Sequence, residues 1–134
     1  MPEYPLLREV GLLIVYARIS GPKESRLVRL ALDTGATTTM IPPKAALAIG
    51  VNPARATRFR DILTASGKEL IPLVVLPTFQ LFEHTLRRMT VACHELPSES
   101  PIDGLLDLDV LTQLGAVIDL AKPSLITRLP QSSA

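Results

Sequence analysis

The chain has little of what disulfide scaffolds, metal centres and nucleic-acid surfaces require. Its 134 residues include one cysteine, two histidines and no tryptophan, and aromatic residues make up 4% of the total. A single cysteine excludes an intrachain disulfide and any zinc site built from several thiolates. So few aromatic side chains also disfavour a surface on which nucleic-acid bases stack. We therefore expect no metal, no other cofactor and no nucleic-acid partner.

The chain also lacks an excess of one charge and a long apolar run. Fourteen basic and 13 acidic residues leave a formal net charge of +1, which gives no electrostatic attraction to nucleic acid or to an anionic membrane. The apolar run at residues 12–17 is far shorter than the ~20 residues that span a bilayer. Glu3 stands where a secretory leader would be basic. We expect a cytoplasmic protein that does not interact with membranes.

Short apolar segments separated by turn residues make up most of the chain. Its length suits one domain, which we assign to residues 1–134. Residues 10–19 and 26–32 read as one hairpin, and residues 59–65 and 69–76 as a second hairpin with Gly67 near its tip. Residues 79–96, 116–120 and 124–127 supply further strand material. The pattern predicts a mostly β fold.

Two short helices complete the predicted elements. Residues 42–49 carry proline in the first turn and are followed by Gly50, a suitable C-terminal cap. Residues 110–114 follow acidic residues, which suit a helix N-terminus, and stop at Gly115.

The segment at residues 30–42 carries the most informative chemistry. An apolar strand runs directly into Asp33, Thr34 and Gly35, and then into a run of hydroxyl residues. Gly35 permits a tight turn in which backbone N–H groups and the hydroxyls of Thr34 and Thr37 can point at the carboxylate. Asp-Thr-Gly is also a common structural turn, so the motif alone leaves a catalytic role open.

A second segment supplies the context for the first. In residues 102–120, the apolar pair Leu105 and Leu106 leads into a short helix and then a strand. With both segments in place, the chain resembles the retropepsin family, the single-domain aspartic proteases typified by the retroviral enzymes. Residues 30–42 look like the family's catalytic loop, residues 105–120 like its second signature, and residues 64–68 like its flap. The resemblance spans residues 9–128 and implies a closed β-barrel with a flap hairpin and one or two short helices.

The resemblance also implies a role for each site residue. Asp33 would activate water, Thr34 would bond across a two-fold axis, Gly35 would face the substrate backbone and Ala36 would lie close to it. The flap residues Ala65, Ser66 and Gly67 would close over an extended peptide, and Leu105 would line a side-chain pocket. Further candidates for pocket walls, for which a core role is equally open, are Ile71, Leu73, Val75 and Ile102.

The mechanism implied by the resemblance requires two chains. Aspartic peptide hydrolysis uses two carboxylates that share a proton, and this chain holds one Asp-Thr-Gly. The second carboxylate would come from an identical chain across a two-fold axis. We therefore expect a homodimeric aspartic endopeptidase that acts on a peptide or protein substrate. In this family the termini interleave between subunits, so residues 4–7 and 125–127 are candidates for that contact, and residues 131–134 are expected to be loose.

One departure from the family pattern leaves alternatives open. Asp107 stands where the family usually has glycine, and it either caps a helix towards solvent or perturbs the site. The set Asp103, Asp107 and Asp109 also invites a metal site, but helix capping is the favoured role. A catalytically weak or inactive module that binds peptide or dimerises is therefore an alternative function. A third possibility is a monomer that becomes active only on assembly.

Two other groupings favour a structural interpretation. Cys93 and His94 invite a thiol–imidazole pair, but adjacent residues on a strand point to opposite faces. His84 lies near Arg87 and Arg88 and is interpreted as part of a solvated edge.

Overall fold

The computed structural model describes residues 1–129, apart from the side chain of Thr64. The expectation for residues 131–134 lies outside this range. The strands are β1 (Glu3–Pro5), β2 (Leu7–Glu9), β3 (Leu12–Ser20), β4 (Ser25–Leu32), β5 (Met40–Ile41), β6 (Arg58–Thr64), β7 (Gly67–Leu81), β8 (His84–Cys93), β9 (Gly104–Leu106), β10 (Ala116–Asp119) and β11 (Ser124–Thr127). The helices are α1 (Pro43–Ile49), a 3-10 helix (Pro53–Arg55) and α2 (Leu108–Gln113).

Both predicted hairpins are present. Strands β3 and β4 pair antiparallel, as do β6 and β7, where Thr64 faces Gly67 across a two-residue turn. Strand β7 is longer than the sequence predicted and runs to Leu81, because it pairs with β6 over its first half and with β3 over its end. The predicted strand material at residues 79–96 is therefore divided between β7, a turn and β8.

The large sheet closes on itself. Its strand order is β2-β3-β4-β9-β5-β8-β7-β6, and an additional pairing joins β3 to β7. Strands β3, β4, β9, β5, β8 and β7 thus form a ring, which confirms the predicted closed barrel. Side chains that alternate inward fill the ring, among them Phe79, Ile19, Leu30 and Leu76, each fully buried. The barrel positions the loops that leave β4 and β9.

A second sheet joins the two ends of the described chain. Its order is β1-β11-β10, with Glu3 opposite Ile126 and Ala116 opposite Thr127. Strand β11 therefore has a strand of its own chain on each edge. In this structure both hydrogen-bonding edges of β11 are taken by strands of its own chain, and the interleaving of residues 4–7 and 125–127 between subunits stays a prediction.

The two short helices form where the sequence places them. Helix α1 ends at Gly50, whose positive φ of 95° lets its N–H reach the carbonyl of Leu47. Helix α2 begins two residues earlier than predicted, because Leu108 and Asp109 also adopt helical backbone. Across residues 1–129, neither helix is long and apolar enough to cross a membrane.

Candidate active site

Asp33 lies at the exit of β4, directly beside the end of β9. The two strands pair in parallel, with Leu32 opposite Leu106, and the Asp33 N–H continues the ladder by donating to the Leu106 carbonyl at 2.9 Å. The chain then turns away from the barrel, which leaves Asp33 half-buried and both Thr34 and Gly35 exposed. The predicted motif therefore stands at the rim of the barrel, where a second molecule can reach it.

Gly35 shapes the immediate surroundings of the Asp33 carboxylate. Its N–H donates to Asp33 Oδ1 at 2.9 Å. A Cβ at this position would lie 3.2 Å from the same oxygen, tighter than an ordinary contact. Glycine thus keeps one face of the carboxylate open. Within the described residues, neither the Thr34 hydroxyl nor the Thr37 hydroxyl donates to the Asp33 carboxylate. The bonds that the sequence suggested from these hydroxyls are therefore not formed.

The loop after Asp33 is braced by Thr39 and Asp109. Thr39 is fully buried; its N–H donates to Asp109 Oδ2 at 2.9 Å and its hydroxyl to Asp109 Oδ1 at 2.7 Å. The same hydroxyl accepts from the Asp107 N–H at 3.1 Å, and the Ala36 carbonyl accepts from the Leu108 N–H at 3.0 Å. These four bonds join the candidate catalytic loop to the start of α2.

Asp107 does not cap a helix towards solvent. It occupies the N-cap position of α2, but its side chain makes no capping bond and is 1% exposed. Its Oδ1 is buried and has no hydrogen-bond partner within the described residues. Burial, together with the charges of Asp33 and Asp109, raises the pKa of Asp107 to about 7, although Arg60 and the Thr38 N–H act in the opposite direction. The carboxyl is thus buried within electrostatic range of the candidate catalytic aspartate.

A cavity of about 100 Å³ separates the loop from the β6–β7 hairpin. Asp107 lines it together with Ala36, Thr37, Thr38, Met40, Arg60, Ile62, Ile71 and Ala92. Arg60 Nη1 also donates to Thr38 Oγ1, which ties the hairpin to the loop. A larger cavity of about 430 Å³, lined in part by Pro43, His94 and Glu95, does not touch Asp33, Thr34 or Gly35.

The other predicted binding residues are only partly brought together. Ala65, Ser66 and Gly67 are exposed at the tip of the β6–β7 hairpin. Leu105 is half-buried on β9, opposite Ala31 of β4 and Met40 of β5. Of the further wall candidates, Ile71 lines the 100 Å³ cavity, Leu73 and Val75 line a different one, and Ile102 lines a third.

Asp103 and Asp109, the other two members of the predicted acidic set, have structural partners. Asp103 Oδ2 accepts from the Arg29 N–H at 2.8 Å, so it holds a loop against β4 and caps no helix. Asp109 lies in the first turn of α2, as expected, and its Oδ1 accepts from the Val110 N–H at 2.8 Å. No group of three His, Cys, Asp or Glu residues in the described part of the chain is arranged to hold a metal ion.

The cysteine and histidines lie away from this site. Burial raises the pKa of Cys93 to about 11, so its thiol stays protonated at neutral pH. His84 is half-buried rather than solvated, and its ring stands at 84° to the Tyr4 ring with 6.1 Å between the centroids. Tyr4 in turn stacks on Phe82, which packs the N-terminal strand onto the barrel.

Sequence reasoning missed Thr39 and Arg60 as parts of this site, and it assigned Asp109 to helix capping without its two bonds to Thr39. Thr39 belongs to a run of three threonines, and only its position one residue before the apolar pair Met40 and Ile41 distinguishes it. Arg60 is one of several arginines and carries no such signal. Its place beside the loop depends on the register of β6 against β7, in which it faces Ile71.

Comparisons with known proteins agree with this geometry. The model of a family described as aspartyl protease matches residues 15–110. Among solved structures, the chain is similar to a retropepsin-like aspartic protease from Rickettsia conorii, with 20% sequence identity and a TM-score of 0.72. That alignment covers 96% of this chain and 91% of the other. No curated protein sequence matches the chain. At this identity the structural match shows a shared fold, and the shared fold is the predicted retropepsin-like one.

Proposed function

The chain belongs to the aspartyl protease family, and on that basis we propose that it is a homodimeric aspartic endopeptidase. In this proposal residues 1–134 form one retropepsin-like domain. Asp33 of each protomer contributes one carboxylate, and the pair activates a water molecule that attacks the peptide carbonyl. The family is described by its peptide hydrolase activity. The pairing of two Asp33 carboxylates and the roles of the individual residues are our assignment.

The observation that carries the proposal is the position of Asp33. Its backbone is fixed by the parallel ladder to Leu106, and its carboxylate by the Gly35 N–H. The loop around it is braced from behind by Thr39 and Asp109. A carboxylate held in this way, at a rim open to solvent, is preorganised to act on a bound molecule.

The same geometry supports a two-chain site. Two other carboxylates lie near this loop, but Asp107 is 1% exposed and Asp109 is held by the Thr39 and Val110 donors, so neither can approach a substrate as Asp33 can. Thr34 and Gly35 are exposed in the single chain, which leaves them accessible to a partner loop and to substrate. The second reacting carboxylate is therefore assigned to Asp33 of a second copy, with Thr34 bonding across the axis.

The β6–β7 hairpin is assigned the role of a flap. Its tip, Ala65 to Gly67, is exposed, and its base is tied to the loop through Arg60 and Thr38. An extended peptide between the hairpin and the loop would bond to main-chain groups of both, in the manner of strand addition. Gly35 and Ala36 would face its backbone, and Leu105 would contact a side chain near the cut.

The test is cleavage of a diverse peptide library between about pH 4 and 7, read by mass spectrometry. Wild type should produce internal cuts, and Asp33→Asn should lower their rate at least ~1,000-fold, because removal of a central catalytic group abolishes most of the rate enhancement. Glu24→Gln is the matched control, since it removes an exposed carboxylate in the β3–β4 turn. It should cleave as wild type does.

Size in solution, measured on the same samples, separates assembly from chemistry. Wild type and Asp33→Asn should both be dimers under assay conditions. A dimeric wild type that cuts nothing, or a monomer that cuts as well as a dimer, would contradict the proposal.

A second candidate function is a catalytically weak module that binds peptide or dimerises. The observation in its favour is Asp107, a buried carboxyl that is coupled by charge to Asp33. If dimeric wild type captures peptides without cutting them and Asp107→Gly cuts, this second function would replace the first.

A further inference from the structure

The cavity of about 430 Å³ lies where strands β7 and β8 separate. Their ladder begins with Leu73 opposite Ala92, and the earlier residues of β7 pair with β6 alone. On the other side of the fork, the chain after Ala92 follows β5 instead, and the His94 N–H donates to the Ile41 carbonyl at 3.0 Å. The two segments therefore diverge, and the space between them forms a groove.

One wall of this groove is an unpaired edge of β7. Pro72 cannot donate to a further rung of the β7–β8 ladder, because proline has no N–H. Successive residues of an antiparallel strand direct their backbone groups to opposite edges. Counted from the pair of Thr64 and Gly67 that flanks the turn, the N–H and carbonyl of Leu70 point away from β6. No described strand pairs with that edge, and such edges are templates for the addition of another strand.

The groove combines an apolar floor with an acidic rim. The charged side chains that line it are two carboxylates, Glu69 and Glu95; both are exposed, and neither forms an ion pair with a described residue. No lysine or arginine of residues 1–129 lines it. The apolar lining residues are Pro43, Pro53, Ala54, Leu70, Ile71, Pro72 and the buried Cys93. This composition suits an occupant that is apolar and carries positive charge.

We propose that this groove docks an extended segment of another polypeptide in which apolar residues alternate with lysine or arginine. The segment would add to the edge of β7 at Leu70, in the manner of strand addition. Its apolar side chains would cover the floor, and its cations would pair with Glu69 and Glu95. The inference goes beyond the proposed function, because docking requires neither Asp33 nor a cut bond.

The groove and the candidate active site can be occupied at the same time. None of Asp33, Thr34 and Gly35 lines the groove, and Ile71 is the one residue that it shares with the 100 Å³ cavity beside Asp107. Its volume also falls within the ~300–1,000 Å³ that is typical of binding pockets. The groove is therefore a separate interaction surface.

The test measures binding of defined peptides to the full-length Asp33→Asn chain by fluorescence anisotropy. A labelled peptide of alternating valine and lysine, capped at both ends, should bind saturably and more weakly as salt is added. A peptide of alternating valine and glutamate should not bind. Methylation of alternate backbone nitrogens in the lysine peptide keeps its side chains but blocks strand pairing. It should weaken binding at least about tenfold, because main-chain hydrogen bonds supply affinity in strand addition.

A charge reversal tests the acidic rim. Asp33→Asn/Glu69→Lys/Glu95→Lys should bind the lysine peptide at least about tenfold more weakly, because two exposed ion pairs, each worth a modest amount, become repulsive. The same variant should now bind the glutamate peptide, a gain that a misfolded chain cannot produce. The matched control is Asp33→Asn/Glu24→Lys/Glu99→Lys, which changes net charge equally at two exposed residues outside the groove. It should keep the preference of the parent.

Backbone amide NMR spectra of the isotope-labelled Asp33→Asn chain locate the bound peptide. The amides of Leu70 and His94 should shift on titration with the lysine peptide, and the amide of Gly35 should not. This measurement uses the parent chain, so it decides the matter even if the charge-reversed variant fails to fold.

The outcomes are distinct from those of the proposed function. Saturable binding that shifts Leu70 and reverses with the rim charges supports the inference, even if wild type cuts no peptide. No binding at millimolar peptide, an equal loss in the control variant, no effect of backbone methylation, or shifts centred on Gly35 would overturn it. Cleavage by wild type together with any of these results would leave the protease proposal intact.

Discussion

Asp107 and Asp109 stand two residues apart at the start of the same short helix, yet their surroundings are opposite. Asp109 accepts from the Thr39 N–H, the Thr39 hydroxyl and the Val110 N–H, all within 2.9 Å. Asp107 is more deeply buried and leaves one oxygen without a partner in the described chain. The contrast shows that burial of a carboxylate does not reveal its role; the number of satisfied hydrogen bonds does. One aspartate holds the loop, and the other faces the cavity.

The largest effect is expected from removing Asp109, the aspartate whose oxygens both accept hydrogen bonds. Asp109→Ala would leave the buried N–H and hydroxyl of Thr39 without acceptors, and should lower the free energy of unfolding by about 4 kcal/mol, at about 2 kcal/mol for each charge-assisted bond. Urea denaturation measures the change. Thr39→Val keeps the N–H but lacks the hydroxyl, so about half of the loss is expected. A loss below 1 kcal/mol for Asp109→Ala would mean that the brace does not hold the loop.

An effect of similar size and opposite sign is expected from Asp107→Asn at high pH. In the folded chain, burial and the charges of Asp33 and Asp109 raise the pKa of Asp107 from its ordinary value of 3.8 to about 7, although the charge of Arg60 acts in the opposite direction. Between these values the folded state holds a proton that the unfolded state has released. The stability of wild type therefore falls as pH rises through this window.

Asparagine does not ionise, so the free energy of unfolding of Asp107→Asn should rise relative to that of wild type as pH rises from 4 to 8. The gain is of order 4 kcal/mol, since the shift spans about three pKa units and each unit is worth about 1.4 kcal/mol. Urea denaturation at a series of pH values measures this gain. A constant difference between Asp107→Asn and wild type across the series would contradict the raised pKa.

The smallest effect is expected far from the site, in the terminal sheet. Glu3 accepts from the Ser124 hydroxyl at 2.6 Å and pairs with Lys122 at 3.1 Å, and these contacts lower the pKa of the Glu3 carboxyl. Its stabilising contribution should be present at neutral pH and be lost as pH falls through the folded-state pKa. Glu3→Gln should therefore be slightly less stable than wild type at pH 7, and the difference should be smaller at pH 3. Thermal unfolding at the two pH values checks this, and an equal difference at both would count against it.

Most of the fold could be predicted because its signals are local. The turn at residues 20–23, the prolines at the start of α1 and Gly50 after it each act on neighbouring backbone, and the elements that they bound formed within two residues of the prediction. The full length of β7 could not be predicted, because its last four residues pair not only with β8 but also with β3, which lies some sixty residues earlier in the chain. The intrachain pairing of β1 with β11 is a contact of the same long-range kind.

The residues of the candidate site also separate into those with local sequence signals and those placed by long-range contacts. The Asp-Thr-Gly loop and the pair Leu105 and Leu106 are readable in the chain, since each is a short run of characteristic residues. The sequence by itself therefore determined the retropepsin-like fold class and the candidate catalytic aspartate. Only the tertiary structure decided that Asp107 is a buried cavity wall rather than a solvent-facing cap, and that Thr39 and Asp109 form the brace. The physical reason is that burial and hydrogen-bond satisfaction depend on which distant strands close around a side chain, here β5, β6 and β9, and no local pattern encodes that.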